Sequence, residues 1–142
     1  QGSLQKGQPM DVGRPLRAHA TWLAHLRETL YGHGPLTAGM AIADTECELG
    51  QWLQRREAAY GHLRAFKELA QIHTRFHRRA AYCLQLVADG RRGEAIAEAE
   101  ERGELRRLSR LLVSTFHTLQ LEAVADPGQR RAFRSLVDVG ER

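Results

Sequence analysis

The sequence predicts an all-α fold, an antiparallel four-helix bundle with a short additional C-terminal helix. Helix-favouring residues such as Ala, Leu, Glu, Arg and Gln are abundant among the 142 residues, whereas only 4 are proline and 6% are aromatic. Apolar residues recur at intervals of three and four in several long segments, which is the spacing of one helix face. A chain of this length matches one domain and can bury a core without disulfide bonds.

The first predicted helix begins at Pro15, because proline is favoured in the first turn of a helix. Its inward stripe consists of residues spaced by three or four positions: Leu16, His19, Leu23, Leu26 and Leu30. Gly32, Gly34 and Pro35 are expected to end this helix. Residues 36–44 follow without a clear pattern.

A shorter helix is predicted over residues 45–56. Thr45 and Glu48 fit a capping box at its start, and Asp44 is an alternative N-cap residue. Cys47 therefore lies in the first turn of this helix.

A long helix is predicted to begin at His62, after a turn at residues 60–61. Its inward stripe is long and regular: Phe66, Leu69, His73, Phe76, Ala80, Leu84 and Val87. His77 lies at the edge of this stripe, beside His73. Residues 89–90, an Asp-Gly pair, are expected to stop the helix.

A fourth helix is predicted over residues 94–124, with candidate core residues Ile96, Leu105, Leu108, Leu112, Phe116, Leu119 and Val124. Gly103 weakens the pattern near the middle of this helix. The chain is expected to break at residues 126–128. A last amphipathic segment follows, with the apolar residues Phe133, Leu136 and Val137.

The chain is expected to divide into three parts. Residues 1–13 form a flexible lead-in, residues 14–125 form the bundle domain, and residues 126–142 form an amphipathic C-terminal segment. Residues 1–9 contain a Gly-Ser pair and no periodicity, which is typical of a cloning remnant or a flexible lead-in. Met10 is a candidate native start.

The composition argues against a membrane protein, a disulfide-rich secreted protein and a nucleic-acid-binding protein. No apolar run approaches the roughly 20 residues that a membrane span needs, and no secretory signal is recognisable, so no membrane contact is expected. Two cysteines make no disulfide scaffold, so a reducing cytoplasm is the simpler expectation. The net charge is +4, but the basic residues are scattered among acidic ones, which does not indicate nucleic-acid binding.

Helical phase separates the histidines that should face the core from the rest of the 7 histidines in the chain. His19 is in phase with the leucines of the first helix, and His73 is in phase with the stripe of the long helix. His77 follows His73 by four residues and lies about one turn away on the same face. His117 follows Phe116 and could border the core, so its direction stays open.

The pair formed by His73 and His77 fits a metal site and two hydrogen-bonded core histidines about equally well. Cys47 favours the metal, because a thiolate with three imidazoles suits tetrahedral zinc. A helix N-terminus also stabilises a thiolate. Cys83 lies on a different face of the long helix and is interpreted as a small buried hydrophobic residue or a helix-flank residue.

Three segments occur in a characteristic order. They are an early histidine followed by an aromatic residue (His19 and Trp22), a Cys-x-[Leu/Phe]-Gly-x-Trp segment (residues 47–52), and a late His-x-x-x-His (residues 73–77). This set resembles the chemoreceptor zinc-binding domain family, known as CZB. The resemblance covers about residues 17–124.

The resemblance implies a four-helix bundle that binds one zinc ion through His19, Cys47, His73 and His77. It also implies a regulatory sensor without enzyme activity, in cytoplasmic bacterial chemoreceptors of chemotaxis or beside diguanylate cyclase domains. The implied signal is zinc itself or an oxidant such as hypochlorous acid. A homodimer is a further implication, as is a signalling output domain in the parent chain or on a partner.

One position departs from the family pattern. Many members carry a histidine two or three residues before the cysteine, where this chain has Asp44 and Thr45. Trp22, Gly50 and Trp52 are expected to pack around the site. Two other functions stay open, namely a structural helical interaction or dimerisation module without a sensing role, and a metal enzyme with an open coordination position.

Overall fold

The computed structural model describes residues 11–43 and 47–128, and within these ranges the chain is all-α, as predicted. The helices are, in chain order, α1 (Gly13–Leu30), α2 (Ala38–Ile42), α3 (Glu48–Tyr60), α4 (Arg64–Ala88), α5 (Arg92–Glu98) and α6 (Glu104–Ala125). The antiparallel arrangement and the three-part domain division stay predictions. The predicted C-terminal helix, with Phe133 and Val137, lies outside the described residues.

The two most regular stripes of the sequence form helices at the expected places. Helix α1 buries His19, Leu26 and Leu30, and Leu16 and Leu23 are half-buried. Helix α4 buries the predicted stripe up to Leu84, including both histidines; Val87 is half-buried. It ends at the expected Asp-Gly pair, where Gly90 adopts a positive φ of 82° that glycine tolerates without strain.

The prediction of one continuous helix over residues 94–124 is wrong. The chain forms α5 and then α6, with Gly103 as the N-cap residue of α6. A Cβ atom at Gly103 would lie only 2.0 Å from the carbonyl oxygen of Glu98, so the two helices meet where only glycine fits. The weak point in the sequence pattern is therefore the actual break.

The start of α3 and the whole of α2 differ from expectation. Helix α3 begins at Glu48, and its N-cap residue is Cys47. Thr45 and Asp44, the predicted capping residues, lie outside the described residues. The segment without a pattern contains α2, a five-residue helix whose N-cap residue Thr37 accepts a hydrogen bond from the backbone N–H of Met40.

Helix α4 is the centre of the fold and packs against α6, α2, α5 and α1. Its first half belongs to a core cluster with Trp52 of α3 and Phe116 of α6. Its second half belongs to another cluster with Leu26 of α1 and Leu105 of α6. His73 and His77 lie along the middle of α4, so the fold places these histidines deep among the surrounding helices. No helix of the described ranges is long and apolar enough to span a bilayer.

Candidate metal centre

Cys47 is held at the N-terminus of α3 by its own side chain. Its Sγ accepts a hydrogen bond from the backbone N–H of Gly50 at 3.2 Å, so the sulfur caps the helix. A cap in this position faces the positive end of the helix dipole, which favours the thiolate over the thiol. The residue is half-buried. The N-terminus of α3 therefore orients this sulfur.

The two histidines of α4 lie next to Cys47. Sγ of Cys47 lies 3.1 Å from Nε2 of His73, and the rings of His73 and His77 have centroids 4.6 Å apart. Both histidines are only 3% exposed. One donor atom from each of the three residues lies within 4.8 Å of the others, which is close enough for one metal ion to bind all three.

A backbone carbonyl fixes the orientation of His77. Its Nδ1 lies 2.7 Å from the carbonyl oxygen of Ala41 in α2. Because a carbonyl only accepts, Nδ1 carries the proton in the neutral ring, and the lone pair that can bind a metal is on Nε2. This contact was not predictable, because α2 lies in the segment without a hydrophobic pattern.

His19 lies beside this group but not within it. It is 6% exposed on α1, and its ring packs edge-on against Phe76 at 4.8 Å. Its Nε2 lies 2.9 Å from Oγ of Ser109 in α6. Burial, and secondarily the neighbouring His77, lower the pKa of His19 to about 4, so the ring is neutral near pH 7. The structure thus brings three of the four predicted residues together and places His19 near them.

The remaining candidates are separated from the site. His117 is exposed on α6, where its Nδ1 lies 3.4 Å from the side-chain oxygen of Gln120. Cys83 is fully buried, as the interpretation of a small buried hydrophobic residue predicts, and burial raises the pKa of its thiol to about 12. Neither belongs to the group of donor atoms.

A cavity of about 740 Å³ is lined by all four predicted residues. Trp22 forms part of its wall, with its ring 4.7 Å from that of His77, as expected for a residue packed around the site. Trp52 instead packs against Phe116 at 5.4 Å in the core. Glu48 also lines the cavity, and its carboxylate accepts a hydrogen bond from Arg14 at 2.5 Å.

The donor chemistry fits zinc. A thiolate and imidazoles suit zinc, whereas magnesium and calcium prefer oxygen ligands. The donor group found within the described ranges contains one cysteine and two histidines and no carboxylate. The residues present therefore support zinc as the metal of this site.

Comparison with known proteins agrees with this chemistry. The sequence model of the chemoreceptor zinc-binding domain (CZB) matches residues 19–84, a range that contains all four predicted residues. No curated protein and no solved structure gives a significant match. The resemblance predicted from the sequence is confirmed: residues 19–84 are similar to the chemoreceptor zinc-binding domain family.

Proposed function

We propose that this domain is a regulatory zinc sensor in which Cys47, His73, His77 and His19 bind one zinc ion. The observation that carries the proposal is the convergence of three donor atoms within 4.8 Å, although the chain separates Cys47 from His73 by 26 residues. His19 is proposed as the fourth ligand because it lines the same cavity and because the family resemblance implies an early histidine ligand at this position.

The proposed ligands come from three helices, so the site connects these helices. His19 belongs to α1, Cys47 begins α3, and the histidine pair belongs to α4. Zinc, when bound, supplies a positive charge that keeps the sulfur of Cys47 deprotonated. Because ligands on three helices are held at one point, a change at the site changes how α1 and α3 pack on α4, which is the physical basis of a signal.

Cys47 gives the same site a response to oxidants. The thiolate attacks hypochlorous acid, an S–O bond forms and chloride leaves, so that RS⁻ and HOCl become RSOH and Cl⁻. The product is a poorer donor than a thiolate and alters the atom that caps α3. Oxidation of one side chain therefore affects both the metal site and the start of a helix.

The signalling context is inferred from the resemblance to the family. We infer a cytoplasmic domain that controls a chemoreceptor or diguanylate cyclase output, in the parent chain or on a partner, and that forms a homodimer. Leu121 and Val124 on α6 are each 73% exposed, so the prediction of Val124 as a core residue is wrong. Both side chains would be available to a dimer interface. Light scattering tests the dimer, and a monomeric mass at micromolar concentration would remove this part of the proposal.

A second candidate is a metal centre with an open coordination position. It is favoured by one observation, that His19 lies outside the group of three donor atoms and contacts Ser109 instead. Three protein ligands beside a cavity are the arrangement of catalytic zinc sites. The candidates differ over His19: its replacement by alanine weakens zinc binding in a four-ligand sensor and leaves the affinity unchanged in an open three-ligand site.

Metal analysis of the purified protein tests the proposed function. We expect one zinc per chain in the wild type and loss of zinc in the Cys47→Ala and His73→Ala variants. Cys83→Ala and His117→Ala are matched controls, because they remove the same residue types outside the donor group and should keep the metal. A wild-type protein that binds no zinc after reconstitution would disprove the proposal.

Oxidant sensing needs its own experiment. The zinc-loaded protein is treated with one equivalent of hypochlorous acid, and the sulfenic acid is trapped with dimedone and located by mass spectrometry. We expect the label on Cys47 and not on Cys83, together with release of zinc measured by a chromogenic chelator. Equal labelling of both cysteines would contradict a selective sensor.

A further inference from the structure

Ser109 is a buried polar residue that the match to the family does not include. It lies on the inward face of α6, is 7% exposed, and follows the end of the matched residues by 25 positions. Its Oγ is 2.9 Å from Nε2 of His19, and 90 residues separate the two in the chain. A buried hydroxyl is costly unless it forms a hydrogen bond, so the contact with His19 accounts for the burial of Ser109.

The direction of this contact depends on which ring nitrogen of His19 carries the proton. A serine hydroxyl can either donate or accept a hydrogen bond. If Nε2 of His19 carries the proton, it donates to Oγ of Ser109. A neutral imidazole carries one ring proton, so the lone pair is on Nδ1.

We propose that Ser109 is a positioning residue for the metal centre: it holds His19 in the Nε2–H tautomer and so makes Nδ1 the atom that binds zinc. This rests on the proposed function, since it requires His19 to be the fourth ligand. His77 shows the same division of its nitrogens, because its Nδ1 donates to the carbonyl of Ala41 and leaves Nε2 as the ligand atom. Partners of this kind orient ligand histidines in many metal sites.

The proposal extends the site to a further helix. Residues 19–84 contribute the four ligands, but the orientation of one ligand depends on α6, which follows the matched range. Removal of an orienting partner in metal sites weakens metal affinity about 10- to 100-fold. In the opposite arrangement, Ser109 competes with zinc for Nε2 of His19. Loss of the hydroxyl would then strengthen zinc binding instead of weakening it.

The first test compares zinc affinities by competition with a chromogenic chelator. We expect Ser109→Ala to bind one zinc per chain with affinity about 10- to 100-fold below that of the wild type, and Ser109→Thr to restore most of the loss. Thr115→Ala is the matched control, because Thr115 is another buried hydroxyl residue of α6 and forms no hydrogen bond with a histidine among the described residues. Unchanged or tighter binding in Ser109→Ala overturns the proposal.

The second test does not depend on zinc. In the metal-free protein with ¹⁵N-labelled histidine, the nitrogen shifts of His19 report which ring nitrogen carries the proton. We expect the Nε2–H tautomer in the wild type and in Thr115→Ala, and a mixture of tautomers in Ser109→Ala. A wild-type Nδ1–H tautomer overturns the proposal whatever the zinc affinities are.

The outcomes separate this inference from the proposed function. If His19→Ala weakens zinc binding and Ser109→Ala does not, the four-ligand site stands and only the role of Ser109 is wrong. If neither variant changes the affinity, His19 is not a ligand, and both the fourth ligand and the role of Ser109 are wrong. Thermal unfolding of each variant confirms that the compared proteins are folded.

Discussion

Sγ of Cys47 and Nε2 of His73 lie 3.1 Å apart, and the same sulfur accepts the backbone N–H of Gly50 at 3.2 Å. One atom therefore takes part in two kinds of structure, the start of α3 and the contact of α3 with α4. We therefore expect metal binding, helix capping and cysteine chemistry to be coupled at Cys47, and each can be measured separately.

Zinc removal is expected to lower the free energy of unfolding. Zinc binds the folded site and has much weaker affinity for the unfolded chain, so it stabilises by about 4 kcal/mol when free zinc exceeds the Kd 1,000-fold. For a protein of this size that corresponds to roughly 10 °C in Tm. Calorimetry with and without a chelator measures the difference. The same Tm in both conditions would contradict a zinc site that joins helices.

Capping and metal binding at Cys47 can be separated by two substitutions. Serine is a good N-cap residue and alanine is not, so in the metal-free protein Cys47→Ala should be about 1 kcal/mol less stable than Cys47→Ser. Neither variant keeps the thiolate, so both should lose most of the stabilisation by zinc. Urea unfolding with and without zinc gives both quantities. Equal stability of the two metal-free variants would show that the cap contributes little.

Much of the candidate site was predictable because its proposed ligands follow strong local patterns. His19 and His73 occur in phase with long apolar stripes, and His77 follows one turn after His73. Cys47 occurs next to a helix start, and the contact of its sulfur with Gly50 explains why that position is suitable. In each case three-dimensional placement is a consequence of helical periodicity.

The rest depends on contacts that leave no local pattern. Helix α2 has only five residues, too few to show a periodicity, yet its Ala41 carbonyl orients His77. Ser109 resembles any small residue on a helix face, and its partner lies 90 residues away. The break at Gly103 was missed because the apolar stripe continues on both sides, whereas the close approach to Glu98 is visible only in three dimensions.

Cys83 should resist modification in the folded protein. Burial raises the pKa of its thiol to about 12, so almost none is thiolate at pH 8, and the side chain is fully covered. With zinc removed, iodoacetamide should alkylate Cys47 within minutes and Cys83 only after urea is added. Mass spectrometry of the digested protein identifies the site. Alkylation of both cysteines at similar rates without urea would contradict this assignment.

Gly103 is expected to be intolerant of any side chain. In Gly103→Ala the new Cβ would lie 2.0 Å from the carbonyl oxygen of Glu98, so α5 or α6 must shift, at a cost of about 2 kcal/mol or more. Gly93→Ala is the matched control, because nothing lies within 4 Å of a Cβ there and alanine favours the helix by about 1 kcal/mol. Urea unfolding should show a lower free energy of unfolding than the wild type for Gly103→Ala and a higher one for Gly93→Ala. A neutral Gly103→Ala would show that the helices separate easily.

Acid should destabilise the metal-free protein through His19. The pKa of His19 is lowered from 6.5 to about 4, first by burial and second by His77. Between these values the unfolded chain binds a proton that the folded protein does not, so the free energy of unfolding falls as the pH decreases from 6.5 towards 4. The full contribution is roughly 3 kcal/mol.

The His19→Gln variant tests this contribution. Glutamine keeps an amide that can reach Ser109 but does not titrate. Unfolding of this variant between pH 6.5 and 4 should therefore take up fewer protons than unfolding of the wild type, by up to one proton. Equal slopes for the wild type and His19→Gln would mean that His19 is not held neutral in the folded protein.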